Sequence, residues 1–217
     1  MITPIAISAL LFAYLLGSFP SAVWIGKMFY GVDVREFGSG NAGATNTFRV
    51  LGKKAGVPVL ILDILKGWVA VNMTYYLLDD APGTAPYVNM QIVLGLAALI
   101  GHIFPLFAGF RGGKGIATLL GIMLAIQPAA SVVAILVFVA VFLASGYVSL
   151  GSMSAGFTFP FIIMVFFNTT VVPSLVVFSF LIAILILITH QKNIERLIKR
   201  QESKTQLLKK KQGVFLK

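Results

Sequence analysis

Gly115-Ile-Ala-Thr-Leu-Leu-Gly-Ile-Met-Leu-Ala-Ile-Gln-Pro128 opens a stretch that continues to Gln191 without one Asp, Glu, Lys or Arg. A soluble domain cannot leave such a length uncharged, because its outward faces must meet water. A bilayer asks the opposite. The stretch begins after Lys114 and ends before Lys192. Basic residues beside spans stay on the cytoplasmic side, so the stretch crosses an even number of times. Two crossings leave about half of it as apolar linker, whereas four helices of roughly 17–20 residues fill it. Gln127-Pro128, Ser145-Gly146-Tyr147 and Asn168-Thr169-Thr170 mark the three breaks between them. The first of the four, Gly115–Ile126, is short for a full crossing and leans on its neighbours.

Three more apolar runs lie upstream. Ile5–Ile25 is long enough to cross about 30 Å of hydrocarbon as a helix, and no basic n-region precedes it as a cleavable signal requires. Lys27, Arg35, Arg49, Lys53 and Lys54 follow it, which places that loop inside and the N-terminus outside. Gly56–Leu78 returns outward and ends at Asp79-Asp80 and Pro82-Gly83; Tyr87–Phe107 comes back to Arg111 and Lys114. The expectation is an all-α polytopic membrane protein of seven transmembrane helices, N-terminus outside and C-terminus cytoplasmic. Residues 1–190 form the membrane domain, and residues 191–217 a basic juxtamembrane helix and tail.

Composition agrees. Of 217 residues, 58% are hydrophobic and only 11% charged, against 45–50% and about 25% in soluble domains; mean hydropathy is +0.94. The absence of Cys excludes a disulfide scaffold. Net charge is +10, and from Lys192 onward nine Lys/Arg face Glu195 and Glu202, giving +7. Beside membrane spans such a tail lies against anionic lipid head groups rather than nucleic acid, so the expected partners are membrane lipids, with no nucleic acid.

Polar residues fall into four clusters, all on the predicted cytoplasmic side: Gly38 to Arg49; Asp63 with Lys66-Gly67; Gly101-His102 to Gly115; and His190, Asn193 and Arg196. Loops rich in Gly, Ser, Asn and Thr turn backbone N–H groups inward around an anion. Gly38, Gly40 and Gly43 spell G-x-G-x-x-G, and Asp63 lies twenty residues after Gly43. The context is not a dinucleotide fold, because a poor strand precedes the glycines and Asp63 falls within a span. Gly112-Gly113-Lys114-Gly115 is not a P-loop either, since Gly115 stands where Ser or Thr must meet magnesium. It reads as an anion nest with a lysine beside it.

Asp63 and Lys66 share a helix face, and a structural ion pair is the simpler reading for them. His102 suits packing or hydrogen bonding as well as catalysis. His190 and Glu195 give H-x-x-x-x-E, a near-match to an acyltransferase box that is read as coincidence. Gly151, Ser152, Ser154 and Gly156 suit close helix packing, and Ser149 is the better ligand candidate. Without a Cys nucleophile, a recognisable triad or clustered ligands, neither a covalent intermediate nor a metal site is expected. No cofactor is expected.

Gly38-Ser-Gly-Asn-Ala-Gly-Ala-Thr-Asn46 with Arg49, Leu62-Asp63 with Lys66-Gly67, Gly101-His102 with Pro105, Gly112-Gly-Lys-Gly-Ile-Ala-Thr118, and His190 with Asn193-Ile194 and Arg196 resemble, in order, the PlsY-type acyl-phosphate:glycerol-3-phosphate acyltransferases of bacteria. The resemblance covers nearly the whole chain and departs at Thr189, where relatives commonly carry Arg. It implies a seven-helix inner-membrane enzyme, with its site facing the cytoplasm. That enzyme moves a fatty acyl group from acyl phosphate to the sn-1 hydroxyl of glycerol 3-phosphate, giving lysophosphatidic acid. It also implies an acyl-phosphate-forming enzyme as a candidate partner. Lys114, His190 and Asn193 are the expected catalytic residues. Ser39, Gly40, Asn41, Thr45, Asn46, Arg49, Lys66, His102, Gly113, Ser149 and Arg196 are the expected substrate ligands. The rival reading is a membrane transporter of a phosphate ester or another organic anion, which would place its anion site near the midplane between paired inverted halves.

Overall fold

The computed structural model describes residues 4–166 and 172–204. Among these the secondary structure is entirely helical: α1 (Pro4–Gly17), α2 (Ser21–Tyr30), α3 (Ala44–Leu51), α4 (Lys53–Asn72), α5 (Ala85–Ile103), α6 (Ile116–Ile126), α7 (Pro128–Ser145), α8 (Val148–Phe166), α9 (Pro173–Thr189) and α10 (Gln191–Ile198), with 3-10 turns at Val34–Glu36, Met73–Tyr76 and Leu106–Ala108. Four helices are long and apolar enough to cross a membrane: α4 and α5, each with its following turn, α7 and α8. Counting the bent pairs α1–α2 and α9–α10 as one span each raises the number to six. α6 has only eleven residues, about 16 Å of helix, roughly half the hydrocarbon thickness. Breaks expected at Gln127-Pro128 and at Ser145-Gly146-Tyr147 separate α6, α7 and α8; the one at Asn168-Thr169-Thr170 lies outside the described residues.

The first expected span is not one helix. α1 and α2 meet at 43° across residues 18–20. Pro20 has no N–H to continue the ladder and disfavours helical geometry at Phe19. The Phe19 carbonyl accepts from the Ser21 amide at 3.1 Å and from Lys66 Nζ at 3.0 Å, and Ser21 Oγ donates to Asp63 Oδ1 at 2.6 Å. The break is therefore satisfied within its own turn, as backbone away from water must be, and fastened to α4.

Close crossings set the packing. A Cβ on Gly121 of α6 would lie 1.9 Å from the Ile64 carbonyl oxygen of α4, and one on Gly17 of α1 would lie 2.0 Å from that of Ala98 in α5. Glycine lets these backbones touch, which is how helices associate where apolar solvent gives no hydrophobic drive. α6 joins the main core: Leu119 and Ile122 belong to one buried cluster with Val71 of α4, Leu99 of α5, Phe159 and Ile163 of α8, and Phe178 and Ile182 of α9. Outward faces of α7 and α9 show Leu136, Leu143, Val177 and Leu181, each more than half exposed. A short buried α6 carries its N-terminus, and Lys114 just before it, to the end of the bundle where the polar clusters gather.

Candidate functional site

The loop between α2 and α3 is built by two polar side chains. Asp33 caps the 3-10 turn by accepting from the Arg35 amide at 3.0 Å. Arg35 returns a fork, Nε to Oδ1 at 3.0 Å and Nη2 to Oδ2 at 2.8 Å, and Lys27 Nζ lies 3.3 Å from Oδ2. The Arg35 hydrogen bond holds the Asp33 carboxyl far below the usual carboxylate range, and the same bond raises the guanidinium. Arg35 Nη1 also donates to the carbonyls of Ala108 and Arg111, at 2.7 and 3.3 Å. This clasp fastens the first loop to the third. Composition gave no sign of it, because Asp33 and Arg35 read as ordinary loop charges.

Asn46, expected as a phosphate ligand, has a different job. It is buried, its Nδ2 donates to the carbonyls of Val34 and Phe37 at 2.7 and 3.1 Å, and its Oδ1 accepts from the Ser39 amide at 2.8 Å. Gly38, at φ +62°, presses against that Oδ1, where a Cβ would stand at 2.4 Å. Asn46 shapes the loop from beneath.

Three of the glycine amides expected to face an anion are engaged within the protein. The Gly40 amide donates to Phe37 O at 3.0 Å, and those of Gly112 and Gly113 to Ile103 O and His102 O at 3.2 Å each. These amides close turns and extend α5 rather than facing an anion. What the two loops do present is a pair of helix starts. α3 begins after Gly43 and α6 after Gly115, neither with a side-chain cap, and uncapped starts attract anions. Half-buried Ser39 and Asn41 and exposed Thr45 stand around the start of α3. Lys114 directly precedes the other start.

Beneath the third loop lies the Asp63 cluster. Lys66 Nζ is 2.9 Å from Asp63 Oδ1, so Lys66 is buried in the structural pair that the simpler reading anticipated. His102 Nδ1 is 3.7 Å from the same oxygen. On its other side, His102 Nε2 lies where a Cβ on Gly113 would meet it at 2.2 Å, and Gly113 also approaches the Ala42 carbonyl. His102 supports the loop that carries Lys114, and the loop in turn touches the segment leading into α3.

The third and fourth clusters meet at Lys114. Its Nζ donates to Asn193 Oδ1. Asn193 Nδ2 donates to Glu202 Oε1 at 2.7 Å, and Ser149 Oγ, at the start of α8, donates to the same oxygen at 2.9 Å. Burial lowers the Lys114 ammonium to about 8; Glu202 pulls it back up, while Arg196 and Arg49 press it down. His190, buried at the junction of α9 and α10, has Nδ1 2.8 Å from the Ile186 carbonyl. A carbonyl only accepts, so Nδ1 carries the hydrogen and Nε2 keeps the lone pair. Thr189, in the position where Arg was expected, donates Oγ1 to Ile186 O at 3.1 Å. Glu195 stands exposed, paired with Lys199 at 2.6 Å, which agrees with treating its spacing from His190 as coincidence. Gly151 packs on Phe138 and Gly156 on Ile186, as close helix packing requires. Glu202 was missed by sequence reasoning; its only signal was to be one of two acids among the tail bases. Among the described residues no three His, Asp or Glu side chains gather as metal ligands would.

Comparison with known proteins leads the same way. The sequence model of the glycerol-3-phosphate acyltransferase family matches residues 7–200. A glycerol-3-phosphate acyltransferase of Chlorobium phaeobacteroides is 40% identical, over 94% of this chain and 97% of that protein. One of Enterococcus faecalis is 44% identical, over 90% and 89%. The crystal structure of PlsY (YgiH), an integral membrane glycerol 3-phosphate acyltransferase, in its glycerol 3-phosphate form, superposes with a TM-score of 0.82 at 38% identity, over 94% of this chain and 97% of that one. Sequence, fold and the convergence of the four polar clusters thus agree: the chain belongs to the glycerol-3-phosphate acyltransferase family and is an acyltransferase.

Proposed function

We propose that the chain transfers a fatty acyl group from acyl phosphate to the sn-1 hydroxyl of glycerol 3-phosphate, releasing lysophosphatidic acid and inorganic phosphate. The observation that carries this reading is that Lys114 and Asn193, from opposite ends of the sequence, meet in one hydrogen-bonded group with Glu202 and Ser149, with Arg49 and Arg196 near enough to act on the Lys114 charge. Such a group suits a substrate pair bearing several phosphate charges.

An acyl phosphate is a mixed anhydride with a good leaving group, so the glycerol hydroxyl attacks its carbonyl carbon directly. The new ester C–O bond forms, the anhydride C–O bond breaks, and orthophosphate leaves with the bonding pair, while the hydroxyl proton passes to a phosphate oxygen of glycerol 3-phosphate. Arg49 clamps a phosphate with its fork, and Lys114 supplies a compact charge to the leaving group. Ser39, Asn41 and Thr45, around the start of α3, cradle that phosphate. His190, Asn193, Arg196 and Ser149 hold glycerol 3-phosphate, whose own phosphate oxygen takes the proton. Placement alone is worth about 7–11 kcal/mol, and fixed charges at the developing oxyanion add to it. The acyl chain enters sideways from the bilayer between the uncharged helices α7, α8 and α9.

In this reading the site faces the cytoplasm of a bacterial inner membrane, with seven crossings, α6 counted, and the N-terminus outside. A partner enzyme makes the acyl phosphate. Radiolabelled glycerol 3-phosphate tests it with purified protein and, in turn, acyl phosphate, acyl-CoA and acyl carrier protein. A chloroform-soluble product with acyl phosphate alone is expected. Turnover only with a thioester overturns the donor, and accumulation inside vesicles without conversion means a transporter.

A further inference from the structure

Glu202 is buried although it follows a run of basic, exposed residues. The chain takes a strained route to put it there. α10 ends at Ile198, and Arg200 adopts φ +55°, a left-handed conformation that side-chain-bearing residues rarely take. The amides of Gln201 and Glu202 then both turn back to the Arg196 carbonyl, at 2.7 and 3.2 Å. Two residues on, Lys204 Nζ sits 5.3 Å from the ring centre of Tyr147, and its stem lies along Gly146 at the α7–α8 turn. The segment is held on both sides of Glu202, by the helix-end turn before it and by Lys204 on Tyr147 after it.

The geometry points to Glu202 as a positioning residue: by accepting from Asn193 and Ser149 it turns the Asn193 carbonyl oxygen toward Lys114 and fixes that ammonium at the phosphate site. A carboxylate offers only acceptors, so the Asn193 amide must show it Nδ2. The Asn193 oxygen is then committed to Lys114. The flipped amide would set oxygen against carboxylate and N–H against ammonium, two repulsive contacts at once. Lys114 has three N–H donors; one is spent on Asn193, and two remain, already aimed, for phosphate oxygens. The charged and titratable groups around Lys114 are Glu202, Arg196, Arg49 and His190. Glu202 is the one acid among them.

The inference rests on the reading of Lys114 and Asn193 as substrate ligands, so its test needs one arm without substrate. In that arm Lys114 of the purified, detergent-solubilised full chain is competitively acetylated across pH and followed by mass spectrometry. In the other, kcat/KM for glycerol 3-phosphate is followed across pH. Glu202→Gln keeps shape and an accepting oxygen but drops the charge. With a thermal midpoint near that of the parent, it should move both the Lys114 labelling midpoint and the alkaline limb down by about one pH unit. A purely structural Glu202 leaves both where they were, and that result overturns the proposal. A shift in labelling without one in kcat/KM upholds the Glu202–Lys114 link and removes Lys114 from the reaction. If the Gln variant does not fold, Glu202→Asp decides. Its carboxylate, one methylene shorter, should keep the labelling midpoint and lose about tenfold in kcat, and parental kcat overturns the proposal.

Discussion

His190 spends its Nδ1 hydrogen on the Ile186 carbonyl, which leaves Nε2 able to accept from a substrate hydroxyl. Two proton acceptors are thus available to the reaction, Nε2 and the phosphate of glycerol 3-phosphate. A positioned general base contributes about 10²–10⁴-fold. If the substrate supplies its own base, His190→Gln should cost kcat no more than about tenfold, read by steady-state assay at saturating acyl phosphate. A loss beyond about a thousandfold would make His190 the base. Residue by residue, the sequence was legible where chemistry needs a particular head group. Lys114, Asn193 and Ser149 do come together, through Glu202. It was illegible where a side chain's role depends on the path of the backbone. Asn46 looks like its loop neighbours until burial shows it serving Val34, Phe37 and Ser39. Glu202 looks like tail until Arg200 turns the chain.

Helices were legible from long uncharged runs, and two of the breaks between them from Pro128 and Gly146. The α1–α2 break was not, although Pro20 was in plain view, because a proline within an apolar run does not reveal whether the helix merely kinks or ends and restarts. The short α6 was foreseen, but its place in the main core was not, since hydropathy reports length and says little about which helices pack together. The α4–α6 crossing offers a test at this scale. Gly121→Ala inserts a methyl group at 1.9 Å from Ile64 O, an overpacking that costs about 1–3 kcal/mol. The thermal midpoint in detergent should fall, and activity with it, because α4 carries Asp63 and α6 begins beside Lys114. An unchanged midpoint would mean that the two helices do not touch there.

Across the whole molecule, polarity is sorted to one end. Lys114, His190, Asn193, Arg196 and Glu202 stand at helix starts and ends, while the opposite turn between α4 and α5 holds Asp79 and Asp80. The excess of basic residues at the first end predicts that it stays in the cytoplasm. The chain has no Cys, so single cysteines report cleanly on sidedness. A membrane-impermeant maleimide should label Thr84→Cys in intact cells and Ser203→Cys only in inverted vesicles. Labelling of both from the same face would refute the proposed orientation.

The kink at Phe19 also has a history during synthesis. Its carbonyl already accepts from the Ser21 amide at 3.1 Å, so the bend is satisfied locally before the rest of the chain is made. Lys66 follows forty-seven residues after Phe19, and Asp63 forty-two after Ser21. The charged pair of α4 therefore enters lipid against acceptor and donor groups that the amino-terminal bend already holds out to it.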